Sequence, residues 1–422
     1  MTEFAPDRVR RLVVTTREVD PIEDVLAYAD PAHPLVWLRR GAGMVGVGAV
    51  GSIDVGGHSA DPSQGSQAAA LAERWRTLVG SATVADEVGL PGSGLVAFGA
   101  LSFDAASATT STLVVPRFVF GRRGRRSWIT TVGVDGGTTP LAPGPLPWGP
   151  AWSATVGPGA LDAAAYQAAV GAGLDAIGTG EVSKVVLARD LVGSVPVDAD
   201  LRRLVRALST EYPDVWTYAV DGIIGASPET LVTVAGGTIT ARVLAGTAPR
   251  GADADGDTEA SVALSASGKD QDEHRFAVES VLRTLRPHTS ALTASEQPFA
   301  LKLPNVWHLA TDVEGIVADG VSALDLVGVL HPTAAVAGTP TAAALEVIRR
   351  IEPFDRGRYA GPVGWIDAAG DGEWAIALRS AQFGDGGHVT AHAGAGIVLG
   401  SDPEAELLET RMKFRPILDA LA

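Results

Sequence analysis

Two short segments of the chain carry acidic side chains three positions apart. The segment KDQDEH holds Asp270 and Glu273, and the segment EAELLET holds Glu406 and Glu409. Because residues three apart lie on one face of a helix, each pair would present two carboxylates together. A hard divalent cation such as Mg²⁺ prefers such oxygen ligands, completed by water and substrate oxygens. The same spacing also occurs on ordinary solvated helices, so spacing alone leaves both interpretations open.

A lysine and a glutamate stand beside apolar runs that would bury them. Lys184 precedes the strand-like run VVLA, and Glu229 follows a proline in the apolar stretch GASPETLV. Removal from water lowers the pKa of a lysine and raises that of a carboxyl group. Lys184 could therefore act as a base and Glu229 as an acid. A lysine that reaches solvent from the end of a strand, and a glutamate in a turn, are the structural alternatives.

Three further side chains could bind a ligand or serve the core. Arg379 follows the apolar run AIAL and would pair with a carboxylate, which could belong to the protein or to a ligand. Tyr359 could supply a hydroxyl group or be a core aromatic residue. His308, with its apolar flank, could be a functional ligand or a hydrogen-bonded core histidine.

Two glycine-containing segments predict backbone that approaches a ligand closely. One is AGAG around Gly394, which could instead mark a bend in a strand. It does not match the dinucleotide-binding pattern GxGxxG. The other is LAGTAPRG, in which the backbone at Gly246 and the hydroxyl group of Thr247 could meet an anion.

Composition restricts the class of partner. The chain has 422 residues, a formal net charge of −16 and no cysteine. The missing cysteines exclude disulfides, thiolate chemistry and cysteine-bound metals. The negative charge argues against nucleic acid or an anionic membrane as the main partner, although local cations could still bind a small anion. With no apolar leader and no uniformly apolar run of membrane-spanning length, the sequence predicts a cytoplasmic protein.

The pattern of apolar residues predicts an α+β protein with largely antiparallel sheets. The first part, to about residue 155, is rich in strands and ends in a proline- and glycine-rich linker, Thr139–Pro150. Within this strand-rich part, before the linker, the segment GRRGRR forms a hairpin turn with four arginines. This turn could be a solvated tip or a phosphate site. Longer elements follow. They include helices capped by Asp162 and begun at Ser401 or Asp402, and a strand Glu373–Gln382.

The order of motifs along the chain resembles the chorismate-utilising enzymes, and within them the isochorismate synthases. The resemblance spans about Ser183 to Lys413, over half the chain, and FGALSFD resembles the family's N-terminal half. The matching segments are KVVLAR, GASPETL, LAGTAPRG, KDQDEH, VWHLAT, LHPTAAVAGTP, RGRYAGPVGW, ALRSA and AGAGIVLGSDPEAELLET, followed by Lys413.

This resemblance implies a layered α/β/β/α fold with two large, mostly antiparallel sheets packed orthogonally and helices outside. It implies one chorismate-binding domain over residues 1–422, with a degenerate half over 1–155 and a catalytic half over 156–422. It also implies Mg²⁺ as cofactor and chorismate as substrate.

The resemblance also implies roles for individual residues. Lys184 matches the base that activates water for attack at C2, and Glu229 matches the acid that protonates the departing C4 hydroxyl group. Tyr359 and Arg379 match the clamp on the enolpyruvyl carboxylate. The remaining matches are the metal ligands Glu273 and Glu409, their companions Asp270 and Glu406, and the pocket residues Gly246, Thr247, His308, Gly394 and Lys413.

Two positions bear on the branch of the family. A lysine at position 184 marks the water-using branch, so no glutaminase subunit is expected. Ala335 falls where salicylate synthases tend to carry threonine, which favours stopping at isochorismate. A salicylate synthase, which goes on to eliminate pyruvate, and a non-catalytic chorismate-binding protein are the alternatives.

Overall fold

A computed structural model of the protein describes residues 11–56, 66–137, 140–251, 253–302 and 306–422. The side chains of Thr247, Lys269, Glu273 and Val306 lie outside that description, although their backbone belongs to regular elements. The helices are α1 (Gln67–Ser81), α2 (Ala163–Gly178), α3 (Arg202–Glu211), α4 (Ala254–Ala266), α5 (Gly268–Leu285), α6 (Ala323–Leu330), α7 (Thr341–Ile351) and α8 (Pro403–Leu421).

The strands alternate with these helices along the chain. The first eight are β1 (Leu12–Val19), β2 (Leu35–Arg39), β3 (Ala42–Gly56), β4 (Thr83–Asp86), β5 (Val96–Ala100), β6 (Thr110–Arg123), β7 (Arg126–Val134) and β8 (Thr155–Pro158). The next eight are β9 (Lys184–Ser194), β10 (Trp216–Val220), β11 (Ile223–Ser227), β12 (Thr230–Ala235), β13 (Thr238–Pro249), β14 (Thr289–Ala294), β15 (Phe299–Lys302) and β16 (Val306–Val317). The last five are β17 (Gly338–Thr339), β18 (Pro362–Asp367), β19 (Gly372–Ile376), β20 (Ser380–Phe383) and β21 (His388–Val398).

These strands form one hydrogen-bonded network with two arms that diverge at β6, because β6 pairs with both β3 and β5. The first arm continues from β3 through β2, β10, β11, β20 and β21 to β9. The second arm runs from β5 through β18, β19, β12 and β13 to β16. Among the described strands, every pairing is antiparallel except that of β1 with β4. The predicted α+β class with largely antiparallel sheets is confirmed.

Side chains that alternate along the strands produce the layers. In β2, Trp37 joins a cluster between the two arms with Phe98 of β5 and Trp365 of β18. Because neighbouring side chains of a strand point to opposite faces, Val36 packs on the other side, in a cluster with residues of α3 and α8. Ala97 of β5 likewise turns away from the inter-arm cluster and joins the core beneath α1 and α6. The order is therefore helices, sheet, sheet, helices, as predicted.

Two short connections carry the chain directly from one arm to the other. Pro228 and Glu229 connect β11 of the first arm to β12 of the second, and 377–379 connect β19 of the second arm to β20 of the first. The prediction of one continuous strand over Glu373–Gln382 is therefore wrong. The break coincides with Arg379, whose φ of 51° lies in the left-handed region that interrupts a strand.

Helix ends follow the predicted capping chemistry. The side chain of Asp162 accepts a hydrogen bond from the backbone N–H of Ala165 and caps α2, and Asp402 caps α8 in the same way. Helix α4 was not predicted. Its buried residues are Asp257 and Leu264, which is too few for a clear apolar stripe. Within the described residues, no helix is both long and apolar enough to cross a membrane.

The arginine-rich turn and the linker are held by ordinary protein contacts. Arg122 donates to the carbonyl oxygens of residues 22 and 23, and Arg123 and Arg126 pair with Glu373 and Glu18. These contacts favour a hairpin tip over a phosphate site. Thr139 lies outside the described residues. From residue 140 the linker is irregular, and its Leu146 N–H donates to the carbonyl oxygen at position 27, at 2.7 Å.

The buried ion pair between Arg202 and Asp200 should stabilise the fold in a pH-dependent way. Burial alone would raise the pKa of Asp200, but hydrogen bonds from Arg202 and from the Gly149 backbone hold that pKa below its usual value. The side chains are 0% and 3% exposed. Removing one partner of such a pair typically costs about 3–5 kcal/mol, so Asp200→Asn should lower the free energy of unfolding by that order at neutral pH.

A carboxyl group whose pKa is lower in the folded state stabilises the fold at pH values above its unfolded-state pKa of about 3.9. That contribution is lost as the pH falls through the folded-state pKa. The stability difference between wild type and Asp200→Asn should therefore shrink under acid conditions. Urea unfolding followed by tryptophan fluorescence at several pH values measures it. A difference that stays constant with pH would contradict this account of the pair.

Candidate active site

The two crossings between the arms place Glu229 and Arg379 close together. The Ser227 hydroxyl group donates to the carbonyl oxygen of Ile376 at 2.6 Å and accepts the Glu229 N–H at 3.2 Å. The Ile376 N–H donates to the Glu229 carbonyl oxygen at 3.0 Å, and the Ala226 N–H donates to that of Arg379 at 3.2 Å. The two connections are thus hydrogen-bonded to each other, which fixes the two charged residues on one side of the network.

The carboxyl group of Glu229 lies in the field of several cations. Burial raises its pKa above the usual value for glutamate, and the positive charges of Lys184, Lys413 and Arg379 oppose that rise. A carboxyl group with a raised pKa can remain protonated and donate a proton. The structure therefore brings the predicted acid and the predicted base into one electrostatic neighbourhood.

Lys184 begins β9, and its side chain extends over β21. Strands β9 and β21 pair continuously from Ser194↔His388 to Lys184↔Val398, without a register shift. A β-carbon at Gly396 would lie 3.1 Å from Lys184 Cε and 3.8 Å from its Nζ. The glycine at this position therefore leaves room for the lysine side chain, and the AGAG segment belongs to a strand without a bulge.

Gly394 is a meeting point of three segments. Its carbonyl oxygen accepts a hydrogen bond from Lys413 Nζ at 2.8 Å, and its backbone is hydrogen-bonded to the Tyr359 hydroxyl group. A β-carbon here would lie 2.7 Å from the Leu187 carbonyl oxygen of β9. The glycine is thus required by the close approach of the neighbouring strand.

Tyr359 and Arg379 share a mostly buried environment. Burial raises the pKa of Tyr359 to about 12, and it lowers the pKa of Arg379, whose charge is stabilised in turn by Tyr359, Glu409 and Glu229. Within the described part of the chain, no ion pair of Arg379 is observed, so the alternative of a structural salt bridge is not supported there. A guanidinium group held in this way suits a carboxylate ligand.

Gly246 lies near the end of β13, and His308 lies near the start of its partner strand β16. The pairing of these strands shifts register between Ala245 and Thr247, and Gly246 has a φ of 76° at this bulge. Burial lowers the pKa of His308, whereas a hydrogen bond with the Gly246 backbone raises it. His308 is also influenced by the charges of Lys413, Glu409 and Lys184, which places it beside the same centre. The side chain of Thr247 lies outside the described residues.

The acidic side chains of α8 form a pair next to Lys413. Burial raises the pKa of Glu406, a hydrogen bond with Ser401 lowers it, and the charge of Glu409 raises it again. Glu409 contacts Lys413 Nζ at 2.6 Å. Two protein carboxylates, completed by water and substrate oxygens, suit Mg²⁺. The donor chemistry of this pair therefore fits the predicted ion.

The second helix with acidic residues lies at the Gly246 bulge. A β-carbon at Gly246 would lie 3.2 Å from Asp270 Cβ, and the Ser267 hydroxyl group donates to the Asp270 carboxylate. The Glu273 side chain lies outside the described residues, so its approach to Glu409 remains a prediction. Among the side chains that are described, no group of three or more acidic or histidine residues forms a metal site.

Ala335 lies in the turn between α6 and β17 and is exposed. Strand β17 pairs with the start of β9, with Thr339 opposite Lys184. The turn is thereby attached to the strand that carries the predicted base. No described contact joins the Ala335 side chain to the other site residues.

Two residues that sequence reasoning missed support the site. Arg189, on β9, donates from Nε to the Thr410 hydroxyl group at 2.8 Å and lies 4.9 Å from the centre of the Phe414 ring. It therefore attaches α8 to the strand of Lys184. His392 stacks on Tyr359 with ring centres 5.1 Å apart. Arg189 lies within the motif KVVLAR, but nothing local indicates that it contacts α8.

Comparison with known proteins identifies the class. The family model described as chorismate binding enzyme matches residues 153–422, which is more than half of the chain. The chain therefore belongs to the chorismate-binding enzymes.

Individual relatives indicate which members of this family the chain resembles. The isochorismate synthase DhbC of Bacillus subtilis is 40% identical over 268 residues, covering 61% of this chain and 67% of that protein. The protein MenF of Mycobacterium tuberculosis is 38% identical over 347 residues, covering 78% and 87%. The solved structure of MenF, the menaquinone-specific isochorismate synthase from Escherichia coli, matches with a TM-score of 0.77 at 25% identity, over 98% of this chain and 95% of that one. The predicted resemblance to the isochorismate synthases is confirmed.

Two glycines of β21 should respond differently to alanine. Gly394→Ala forces a methyl group against the backbone of β9, so it should lower the free energy of unfolding by about 1–3 kcal/mol. Gly396→Ala meets only the flexible end of Lys184, so the fold should persist while the amine is displaced. We expect a near wild-type urea midpoint but at least about a tenfold loss of chorismate turnover for Gly396→Ala. Equal stability loss in both variants would contradict this distinction.

Proposed function

We propose that this chain is a cytoplasmic isochorismate synthase that converts chorismate to isochorismate in a Mg²⁺-dependent reaction. Its product would feed menaquinone or siderophore biosynthesis, since both routes start from isochorismate. The single observation that carries the proposal is the half-buried Glu229 carboxyl group in the field of Lys184, Arg379 and Lys413. The names of the relatives support the same reaction.

The proposed chemistry exchanges one hydroxyl group for another. Lys184 takes a proton from a water molecule while the oxygen of that water forms a bond to C2 of the ring. The ring double bonds shift, and the C4 hydroxyl group accepts a proton from Glu229 and departs as water. Water is a poor nucleophile and hydroxide a poor leaving group, so a base and an acid address both difficulties. The water consumed equals the water released.

The proposed binding groups neutralise a substrate with two carboxylates. Arg379 and Tyr359 would hold the enolpyruvyl carboxylate. The pocket around the ring and the C1 carboxylate would be formed by Gly246, Thr247, His308, Ala335, Gly394 and Lys413. When bound, Mg²⁺ would neutralise carboxylate charge on the substrate. Glu406 and Glu409 would hold it from α8, and Asp270 and Glu273 from α5.

Product analysis tests the proposal directly. The purified chain is incubated with chorismate, with and without Mg²⁺, and the products are separated by chromatography. We expect isochorismate in the presence of Mg²⁺ and its loss on chelation, with recovery when Mg²⁺ is added back. Salicylate together with pyruvate would identify a salicylate synthase instead. Binding of chorismate without any product would indicate a non-catalytic protein.

Variants of the two proton-transfer residues test their roles. Lys184→Ala should abolish turnover, and turnover that survives would exclude this lysine as the base. Glu229→Gln should lose turnover by about 10²–10⁴-fold, because it removes the proton donor, while chorismate binding is retained. In the wild type, kcat should fall as the pH rises through the Glu229 pKa, since the acid must be protonated. Because burial raises that pKa, the fall should occur above the usual glutamate range.

A further inference from the structure

Glu352 and Arg356 form an ion pair beneath the site, with side chains 1% and 3% exposed. Arg356 Nε donates to Glu352 Oε2 at 2.8 Å, and its Nη2 donates to Glu352 Oε1 at 2.5 Å. The guanidinium group also lies 4.4 Å from the centre of the Phe103 ring. The pair is thus a buried contact with two hydrogen bonds. It joins the residue that follows α7 to the loop that precedes β18.

The pair completes the hydrogen bonding of β9. On one side, β9 pairs with β21 along its whole length. On the other side, β17 pairs with it only up to Val185, and β8 pairs with it only from Leu191 onward. In the gap, the Ala188 N–H donates to Glu352 Oε1 at 2.7 Å, and Arg356 Nη2 donates to the Val186 carbonyl oxygen at 2.7 Å.

Arg356 contacts two further segments of the site, one through its guanidinium group and one through its backbone. Its Nη1 donates to the carbonyl oxygen of Val336 at 3.0 Å, directly after Ala335. Its backbone carbonyl oxygen accepts the N–H of Tyr359 at 2.9 Å. The ion pair therefore connects the strand of Lys184 with the turn of Ala335, and the backbone of Arg356 extends this connection to Tyr359.

We propose that Glu352 and Arg356 are positioning residues that hold Lys184, Ala335 and Tyr359 in register around the ring of the substrate. This inference rests on the proposed function, since it assigns the pair to that site. Neither residue touches the substrate in this proposal. Both act through backbone groups of the segments that do.

The geometry explains why the contact is ionic. A buried ion pair is often no more stabilising than apolar side chains of the same volume, so stability alone does not require one here. Apolar side chains would leave the Ala188 N–H and the carbonyl oxygens of Val186 and Val336 without partners. Only the planar fork of arginine donates to a carboxylate and two diverging carbonyl groups at once, which a lysine ammonium cannot reproduce.

The chain offers a matched control in Arg202. Its side chain is 0% exposed, donates to Asp200 from Nε and Nη2, and also donates to the carbonyl oxygens at positions 27, 146 and 147. It lies 4.8 Å from the centre of the Trp148 ring. Among the described side chains, Arg202 contacts none of the predicted site residues, so Arg202→Lys removes an equivalent fork away from the site.

The experiment compares wild type, Arg356→Lys and Arg202→Lys by urea unfolding and by steady-state kinetics with chorismate and Mg²⁺. Both variants should show a lowered urea midpoint. Only Arg356→Lys should lose about ten- to a hundredfold in kcat, the scale expected when reacting groups are displaced by about 1 Å. KM should change less than kcat, because Arg356→Lys removes guanidinium bonds to the strand that carries the base, whereas the bond to Tyr359 comes from the backbone of Arg356 and persists.

Each outcome decides one question. A wild-type chain that forms no isochorismate rejects the proposed function, whatever the variants do. An active wild type in which both variants lose kcat equally, or neither does, overturns the positioning role. If Arg356→Lys does not fold, Glu352→Asp takes its place, since it keeps the charge but withdraws the carboxylate from Ala188. A folded Glu352→Asp chain with reduced kcat supports the role, and one with wild-type kcat overturns it.

Discussion

The position of the half-buried Glu229 carboxyl group among three cationic side chains is the constraint on which the candidate site depends. Burial raises the pKa of this carboxyl group, and nearby cations limit the rise. The cations come from the start of β9, from the β19–β20 connection and from α8. Glu229 and Arg379 meet because the two connections that carry them between the arms are hydrogen-bonded to each other. The fold therefore determines the electrostatics of the site.

The local field differs in sign from the whole molecule. The chain carries a formal net charge of −16, yet Lys184, Arg379 and Lys413 converge on one carboxyl group. Local charges in a shielded cleft govern the attraction of a ligand more strongly than distant surface charges screened by salt. An acidic protein can thus offer a cationic site. The carboxylates of α8 beside it then suit a divalent ion better than a second anion.

Strand β9 contacts several of the segments that contribute residues to the candidate site. It begins with Lys184, pairs along its length with the glycine-containing strand β21, and attaches α8 through Arg189 and Thr410. Its other edge is completed by the side chains of Glu352 and Arg356, between the stretches that pair with β17 and β8. A change in the position of this one strand would therefore move groups contributed by several distant segments. This explains why buried residues that cannot touch a ligand still matter for the site.

Much of the protein was predictable from local pattern. Apolar alternation indicated an α+β protein with antiparallel sheets, capping residues indicated the starts of α2 and α8, and the order of motifs identified the family. Local pattern did not predict the break at Arg379, because a left-handed residue between two strands has no periodic signal. It also missed α4, which buries little apolar surface. The partners of Arg189 and Glu352 lie far away in sequence, so only the folded chain reveals them. Residue types and their order determined what chemistry this protein is equipped for. Tertiary structure alone decided which charges share one shielded space, because burial and electrostatic fields depend on distances that a sequence does not contain.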